Sequence, residues 1–210
     1  MSAYREAFES AERHPDEFWL AAAEAIDWTT PPTRGLDDSA VPHYRWFPDG
    51  RLNTCYNALD RHIEAGNGDR PALIYDSAMI GVQRSFSYAE LLDQVARLAG
   101  VLVAQGVTAG DRVVVYMPMI PEAVIAMLAC ARIGAVHSVV FGGFAANELA
   151  ARIDDAAPVA LLTASGGLEP GRTVEYLPEV AKALAMCAEA LATVIVKNRD
   201  EIPGQVTDPL

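Results

Sequence analysis

The sequence has few cysteines, and none of them belongs to a recognisable pair. Cys55, Cys130 and Cys187 are far apart in a chain of 210 residues, and no two have the spacing of a redox or zinc motif. An odd, unpaired set of cysteines is typical of a reducing compartment. Because Cys130 lies in the apolar run 126–131, we expect it to be a small core residue. The histidines also lack partners at metal-ligand spacing, so we predict no metal site.

Long hydrophobic runs are missing as well. The chain contains no uncharged apolar stretch of about 18 residues, roughly the shortest length that predicts a membrane-spanning helix. The first six residues include an arginine and a glutamate and lead into no apolar segment, so we expect no secretory signal. Together with the unpaired cysteines, these absences predict a cytoplasmic protein that does not enter a membrane.

The chain has little positive charge. Its 16 lysines and arginines stand against 28 aspartates and glutamates, which gives a formal net charge of -12 and an isoelectric point near 4.7. Nucleic acids and anionic membranes repel such a polyanion, so we predict neither as a partner. The charge does not exclude a small anionic ligand, since that needs only a local group of hydrogen-bond donors.

The composition is that of a globular protein, with 51% hydrophobic and 21% charged residues. Residues 4–28 predict two short helices separated at Pro15, which has no N–H and suits a first helical turn. Residues 29–53 are punctuated by proline and glycine but contain two adjacent large aromatics at 46–47, which indicates an ordered irregular segment. A further helix is predicted over 54–66.

From residue 67 onward, apolar strands alternate with amphipathic helices. A capping box, in which Ser87 and Glu90 satisfy each other's free backbone N–H groups, predicts a long helix that ends at Gly106. The predicted strands are 71–76, 82–86, 112–117, 135–141, 159–163 and 193–196, and the other predicted helices are 121–134, 145–157 and 174–190. Strands that are apolar throughout indicate a parallel sheet covered on both faces.

This alternation predicts an α/β fold: a doubly wound, mainly parallel sheet with helices on both faces, preceded by a helical and irregular N-terminal extension. We expect two domains, an extension over 1–66 and the first part of an α/β domain over 67–210. The last eight residues, 203–210, carry no helix or strand signal and are expected to form an irregular segment that ends in a loop.

Ligands of an open parallel sheet bind beyond the carboxyl ends of its strands. One such end is 141–144, where Gly142 and Gly143 would let a ligand approach the backbone closely. The helix that follows would favour an anion at its N-terminus. The alternative is a tight strand-to-helix turn with no ligand, which recurs in α/β proteins. The local sequence does not decide between these two readings.

A second strand end, 165–172, is rich in glycine and closes with Arg172. This arginine is either a phosphate ligand, through two parallel hydrogen bonds, or a solvated surface residue. Neither loop matches GxGxxG or GxxxxGK[ST], so no dinucleotide or Walker site is predicted. His137 lies inside a predicted buried strand, where we expect a core histidine. Ser165 lacks the GxSxG context of a hydrolase nucleophile.

Several blocks resemble one enzyme family, in the right order. Residues 46–62, WFPDGRLNTCYNALDRH, are similar to the N-terminal signature of acetyl- and propionyl-CoA synthetases, roughly W-F-x-G-G-x-L-N followed by N-x-x-D-R-H. Where the family pattern has a variable residue and a glycine pair, this chain has Pro48-Asp49-Gly50. Further similar blocks are SYAEL at 87–91, GDRV at 110–113, YMPMIPE at 116–122, CARIGAVH at 130–137 and VVFGGF at 139–144. The chain thus resembles the N-terminal part of an AMP-forming acetyl- or propionyl-CoA synthetase, an acyl-adenylate-forming ligase.

The resemblance implies an activity and a set of contacts. These enzymes activate a short-chain carboxylate with Mg-ATP to an acyl-adenylate, and the CoA thiol then displaces AMP. In the family, a Phe-Gly-Gly turn contacts the CoA nucleotide and a later arginine contacts a CoA phosphate, which carries over here to Phe141, Gly142, Gly143 and Arg172. The family pattern has a further arginine where this chain has Glu169, and a carboxylate there would repel a phosphate.

The resemblance also implies what lies elsewhere in such an enzyme. The acyl pocket, the lysine-containing phosphate loop, the ATP-binding acids and the catalytic lysine of a small C-terminal domain are expected beyond Leu210. We therefore assign no catalytic residue and predict that this chain alone is inactive, although it retains part of a CoA site. Within the family, residues 164–176 are most similar to the propionyl-CoA branch.

Two other functions stay open. The chain could be a stand-alone CoA- or nucleotide-binding or assembly module, in which an exposed apolar face or sheet edge mediates self-association. A nucleotide-dependent oxidoreductase shares the predicted fold, but the missing GxGxxG pattern argues against it.

Overall fold

The structure, a computed structural model, describes residues 2–202, and the predicted irregular segment 203–210 lies outside them. The described residues form two compact units, with the division between Asn57 and Ala58. The predicted domain boundary after residue 66 stays a prediction. Between residues 2 and 202, no helix is both long and apolar enough to span a bilayer.

The N-terminal unit contains two short helices and an irregular segment rich in aromatic residues. Its elements are the helices α1 (Ala3–Arg13) and α2 (Pro15–Ala22), a 3₁₀ turn (Ala23–Ala25), and the antiparallel strands β1 (Leu36–Asp37) and β2 (Arg45–Trp46). Pro15 stands in the first turn of α2, which confirms the predicted break between the helices. Ring packing orders the irregular segment, where the ring centroids of Trp28 and Phe47 are 5.4 Å apart.

The second unit begins with a short helical segment, which a hairpin and a long helix follow. A π turn (Tyr56–Asp60) spans the division between the units. The elements that follow it are helix α3 (Arg61–Glu64), the antiparallel strands β3 (Pro71–Ser77) and β4 (Val82–Ser87), and helix α4 (Tyr88–Ala104). The capping box is confirmed: the Ser87 N–H donates to the Glu90 carboxylate at 2.8 Å, and the Glu90 N–H donates to the Ser87 hydroxyl at 3.2 Å. The helix predicted over 54–66 contains the π turn and ends at Glu64.

A four-stranded parallel sheet forms the centre of the second unit. The elements that build it and surround it are β5 (Arg112–Met117), α5 (Pro121–Ile133), β6 (Val136–Phe141), α6 (Ala146–Ala156), β7 (Ala160–Ala164), the hairpin strands β8 (Gly166–Glu169) and β9 (Arg172–Glu175), α7 (Leu177–Met186) and β10 (Thr193–Lys197). The strand order is β10-β7-β5-β6, and all pairings are parallel. From β5 the chain first adds β6 on one side and then β7 and β10 on the other, so the sheet is doubly wound.

Helices cover both faces of this sheet, which confirms the predicted fold class. On one face, Val114 and Tyr116 of β5 join a core cluster with Leu149 and Ile153 of α6 and Val180 of α7. The alternate residues of β5 point to the opposite face, where α5 packs against β5 and β6 and is itself backed by α4. Because both faces are covered, β5 is apolar along almost its whole length.

The prediction that β6 and its histidine are buried is wrong. Val136, Val139 and Phe141 each expose more than half of their surface, and His137 is exposed too, whereas Val140 is buried. Within residues 2–202, β6 pairs with β5 alone and so forms an edge of the sheet. An apolar run predicts a strand, but it does not tell whether that strand lies at an edge.

The predicted glycine-rich loop at 165–172 is a β-hairpin. Strands β8 and β9 pair in antiparallel register, and Gly171 between them takes a positive φ of 78°, which suits the turn. Gly166 lies so close to β9 that a Cβ atom there would collide with the backbone of that strand. Since the chain remains paired up to Glu175, helix α7 begins at Leu177 and not at 174 as predicted.

Candidate functional site

A crevice of about 430 Å³ opens at the carboxyl end of the sheet. It lies beside the switch point between β5 and β7. The connection after β5 leads to one side of the sheet and the connection after β7 leads to the other. Open α/β sheets bind their ligands at such points. The turn between β3 and β4, the ends of β5 and β6, and strand β8 form its walls, and Tyr176 and Arg199 complete the lining. Two of the predicted ligand loops therefore meet at one place.

The Phe-Gly-Gly turn forms one wall of the crevice. Phe141 ends β6 with 69% of its surface exposed, and both Phe141 and Gly142 line the crevice. A Cβ atom on Gly142 would lie 2.5 Å from the Tyr176 hydroxyl oxygen and 2.7 Å from the Met117 carbonyl oxygen, so no larger residue fits. Gly143 has a φ of 107°, which residues with side chains rarely adopt. The turn needs both glycines for its own geometry, whatever it binds.

Arg172 lies close to this turn but is held by a carboxylate. Its Nε donates to Glu169 Oε2 at 2.7 Å, and 69% of its side chain is exposed. The other carboxylate oxygen of Glu169 is 4.0 Å from the Cβ position of Gly143. Glu169 also lines the crevice. The structure thus brings Phe141, Gly142 and Gly143 next to Glu169. Arg172 is linked to this group through its ion pair with Glu169.

The N-terminus of α6 already holds a carboxylate of the protein itself, and a ligand anion there stays a prediction. The Glu179 carboxylate on α7 accepts a hydrogen bond from the Ala146 N–H at 3.1 Å. The Lys182 ammonium bonds the same carboxylate at 2.6 Å and lowers its pKa, an effect that burial opposes and the Ala146 N–H reinforces. The packing of α7 against α6 brings this acid to the helix end, which the local sequence could not reveal.

Tyr176 and Arg199 are site residues that the sequence pattern missed. Tyr176 is 3% exposed and packs on Tyr116 with the ring centroids 4.9 Å apart, and burial raises its pKa to about 12. Arg199 is 7% exposed, and its Nη1 donates to the Gly166 carbonyl at 3.1 Å. Both residues line the crevice. A tyrosine after a glycine-rich segment and an arginine after an apolar strand match no motif, so only the tertiary packing reveals them.

Some residues of the family-like blocks hold the fold together. Asp60 accepts hydrogen bonds from both terminal nitrogens of Arg132, at 2.9 to 3.1 Å. This two-pronged ion pair ties the π turn to α5 and joins two of the blocks in space. Cys130 is fully buried, and burial raises its pKa to about 11, which confirms the expected core role.

An open, doubly wound sheet with a crevice at its switch point defines a ligand-binding α/β domain. Residues 59–208 match the family model for AMP-binding enzymes, and residues 4–58 match the model for the acetyl-coenzyme A synthetase N-terminus. The chain belongs to the AMP-binding enzyme family. The resemblance to AMP-forming synthetases is thereby confirmed, and the assignment to their propionyl-CoA branch stays a prediction.

Individual relatives give the same result. Human "acyl-CoA synthetase short-chain family member 3, mitochondrial" is 51% identical over 94% of this chain and 29% of that protein. An acetyl-coenzyme A synthetase of Streptomyces avermitilis is 48% identical over 92% of this chain and 29% of that protein. Among solved structures, the acetoacetyl-CoA synthetase from Streptomyces lividans has a TM-score of 0.82 at 30% identity, over 94% of this chain and 32% of that chain. The chain spans less than a third of the length of these proteins.

Proposed function

We propose that this chain is the N-terminal part of an AMP-forming short-chain acyl-CoA synthetase. The complete protein would activate propionate or acetate with ATP to an acyl-adenylate and transfer the acyl group to CoA. The observation that carries the proposal is the position of the Phe-Gly-Gly turn on the switch-point crevice. The 51% identity to a protein named as a short-chain acyl-CoA synthetase supports it. The proposed domains are an extension over 1–66 and the first part of an adenylation domain over 67–210.

We infer that the CoA nucleotide lies on the exposed ring of Phe141, which offers adenine a flat apolar surface. Gly142 and Gly143 allow the nucleotide to approach the backbone, and Arg172 binds a CoA phosphate through parallel hydrogen bonds. That last contact requires the ion pair with Glu169 to open or rearrange. Its two side chains are 69% and 44% exposed, so the pair resists opening by only about 0–1 kcal/mol.

The remaining chemistry is proposed to come from the rest of the parent protein. Residues 2–202 contain no group of three histidine, cysteine, aspartate or glutamate side chains placed to hold a metal ion. A chain that neither positions ATP nor stabilises the developing charge does not accelerate adenylation. We therefore propose that this chain alone is inactive and that the enzyme is the complete protein, located in the cytoplasm.

Acyl-CoA and pyrophosphate formation by the parent protein and by the 210-residue chain test this function. We expect the parent to release AMP and pyrophosphate in equal amounts when given a carboxylate, and to show a higher kcat/KM for propionate than for acetate. The isolated chain should release no pyrophosphate above the buffer control. ADP as the product, or no CoA thioester, contradicts the proposed reaction. A higher kcat/KM for acetate contradicts only the proposed substrate preference.

The exposed edge of β6 favours a second candidate function, an assembly module that pairs two copies of this chain. Val136, Val139 and Phe141 present apolar surface on a strand that pairs on one side only within residues 2–202. Such an edge is a template for another strand. Sedimentation should then detect a dimer that Val139→Lys abolishes and that Val103→Lys, an equally exposed position on α4, preserves. A dimer that survives Val139→Lys contradicts a role for this edge.

A further inference from the structure

The hydroxyl of Tyr176 has no hydrogen-bond partner within residues 2–202. The residue as a whole is 3% exposed. Because no fully buried side-chain oxygen or nitrogen in that range lacks a partner, the hydroxyl oxygen must reach the surface of the crevice that Tyr176 lines. It is a polar group at the end of an otherwise buried side chain, and it points to the place where a ligand would bind.

Tyr116 provides the contrast. Its ring packs against that of Tyr176, and its own hydroxyl donates to the Phe144 carbonyl at 2.8 Å. One of two neighbouring hydroxyls thus holds the fold, and the other has no partner among residues 2–202. A phenylalanine at 176 would fill the same space without the free-energy cost of desolvating a polar group. Within residues 2–202, no hydrogen bond accounts for a tyrosine at this position.

Two glycines make room for the hydroxyl itself. Cβ atoms on Gly142 and Gly167 would lie 2.5 Å and 2.7 Å from the hydroxyl oxygen of Tyr176. Both glycines line the crevice, so backbone and not side chains flank the hydroxyl. A side chain at either position would displace the hydroxyl, so both glycines are needed to hold it at the crevice.

The lining of the crevice indicates a ligand with an apolar body and a neutral oxygen. The larger apolar residues of the lining include Met117, Met119, Ile120, Val139, Phe141 and Leu168. Its charged residues are two carboxylates, Asp76 and Glu169, against one guanidinium, Arg199, which gives a net charge of -1. Arg199 also already donates to the Gly166 carbonyl. Because Arg172 offsets the charge of Glu169, the lining has no net positive charge to attract an anion, whereas a hydroxyl donor suits a carbonyl oxygen.

We propose that Tyr176 donates a hydrogen bond to a neutral carbonyl or amide oxygen of a ligand that binds in this crevice. The site is separate from the phosphate contact proposed for Arg172, and the inference does not depend on the synthetase reaction. Since burial raises the pKa of Tyr176 to about 12, the hydroxyl keeps its proton and acts as a donor throughout the physiological pH range.

Titration of the 210-residue chain with N-butylacetamide, followed by NMR, tests the inference. This probe is a neutral amide on a short apolar chain, and hexanoate is its charged counterpart of equal heavy-atom number. We expect N-butylacetamide to bind at the crevice and Tyr176→Phe to weaken its binding about fivefold, the effect of one lost neutral hydrogen bond. Hexanoate should bind more weakly than the amide.

Tyr116→Phe is the matched control, because it removes a hydroxyl that the protein itself uses. It should lower the urea midpoint of unfolding and leave the amide affinity within about twofold, whereas Tyr176→Phe should not lower that midpoint. The inference is overturned if the wild-type chain does not bind the amide, if Tyr176→Phe binds it equally well, or if hexanoate binds more tightly. It is also overturned if Tyr176→Phe lowers the midpoint as much as Tyr116→Phe does, since the hydroxyl would then serve the fold.

Discussion

Gly142 lies between the end of β5 and Tyr176, with no room for a side chain. We expect Gly142→Ala to lower the free energy of unfolding by about 1–3 kcal/mol, because overpacking forces a shift of the surrounding structure. The clash includes the Met117 carbonyl oxygen at 2.7 Å, a backbone atom that cannot rotate away as a flexible side chain can. Urea denaturation of the wild-type and variant chains measures the difference.

Gly100→Ala is the control for that substitution. Gly100 lies inside α4, and apart from its own helix backbone no atom of the described residues comes within 4 Å of its Cβ position. Alanine should therefore stabilise the helix, raising the free energy of unfolding by about 0.5–1 kcal/mol. Equal losses of stability in the two variants would contradict the steric account of Gly142.

Glu169 is expected to weaken the binding of CoA by competing for Arg172. In the parent protein, Glu169→Gln should lower KM for CoA by up to about fivefold, since an exposed ion pair of this kind is worth at most about 1 kcal/mol. KM for dephospho-CoA should stay unchanged, because that thiol lacks the 3′-phosphate. Steady-state kinetics with both thiols measure the effect.

Arg172→Gln is the companion variant, and it should raise KM for CoA alone. Equal changes of KM for both thiols in Glu169→Gln would rule out a contact between Arg172 and the 3′-phosphate. A parent protein that forms no CoA thioester at all would instead contradict the proposed function, so the two failures are distinguishable.

The candidate site could be predicted only in part at this scale. The resemblance named Phe141, Gly142 and Gly143, and the structure places them at the crevice or beside it, but their contact with CoA stays a prediction. Tyr176 was missed because its importance comes from its contacts with two glycines, and one of these, Gly142, lies on another strand-end loop. No local pattern contains that information.

The capping box at the start of α4 gives a prediction for a whole element. Ser87→Ala removes the acceptor for the Glu90 N–H, so it should lower the free energy of unfolding by about 1 kcal/mol. Urea denaturation at neutral pH measures the loss. A variant as stable as the wild-type chain would mean that tertiary packing alone holds this end of the helix.

The same capping box makes stability depend on pH. Hydrogen bonds from the Ser87 backbone and side chain lower the pKa of Glu90, although desolvation opposes them. A group whose folded pKa is lowered stabilises the fold above its ordinary pKa, and this contribution is lost as the pH falls through the lowered folded value. Glu90→Ala should therefore be less stable than wild type at neutral pH, and the gap should narrow in acid. A gap independent of pH would contradict this.

Elements with strong local signals were predicted within one to three residues. Strand β5 was predicted and observed over 112–117, since a strand covered on both faces is apolar throughout. Helix α4 begins where the capping box predicts, because its start is fixed by hydrogen bonds between neighbours in sequence. The β8–β9 hairpin and the exposure of β6 were missed, because both depend on which distant segments pair with them.

At the scale of the whole molecule, two observations agree with a longer parent protein. The chain spans less than a third of the length of the relatives to which it is similar. The edge strand β6 exposes apolar side chains that a further part of a protein would be able to cover. Both are expected if, as proposed, the ATP site and the acyl pocket lie in the remainder of the synthetase.

The size of the native gene product tests this claim most directly. An immunoblot of source cells with antiserum raised against this chain shows whether the cell makes a longer protein. We predict a single band much larger than 22.5 kDa. A single band near 22.5 kDa would contradict the proposal that this chain is part of a complete synthetase.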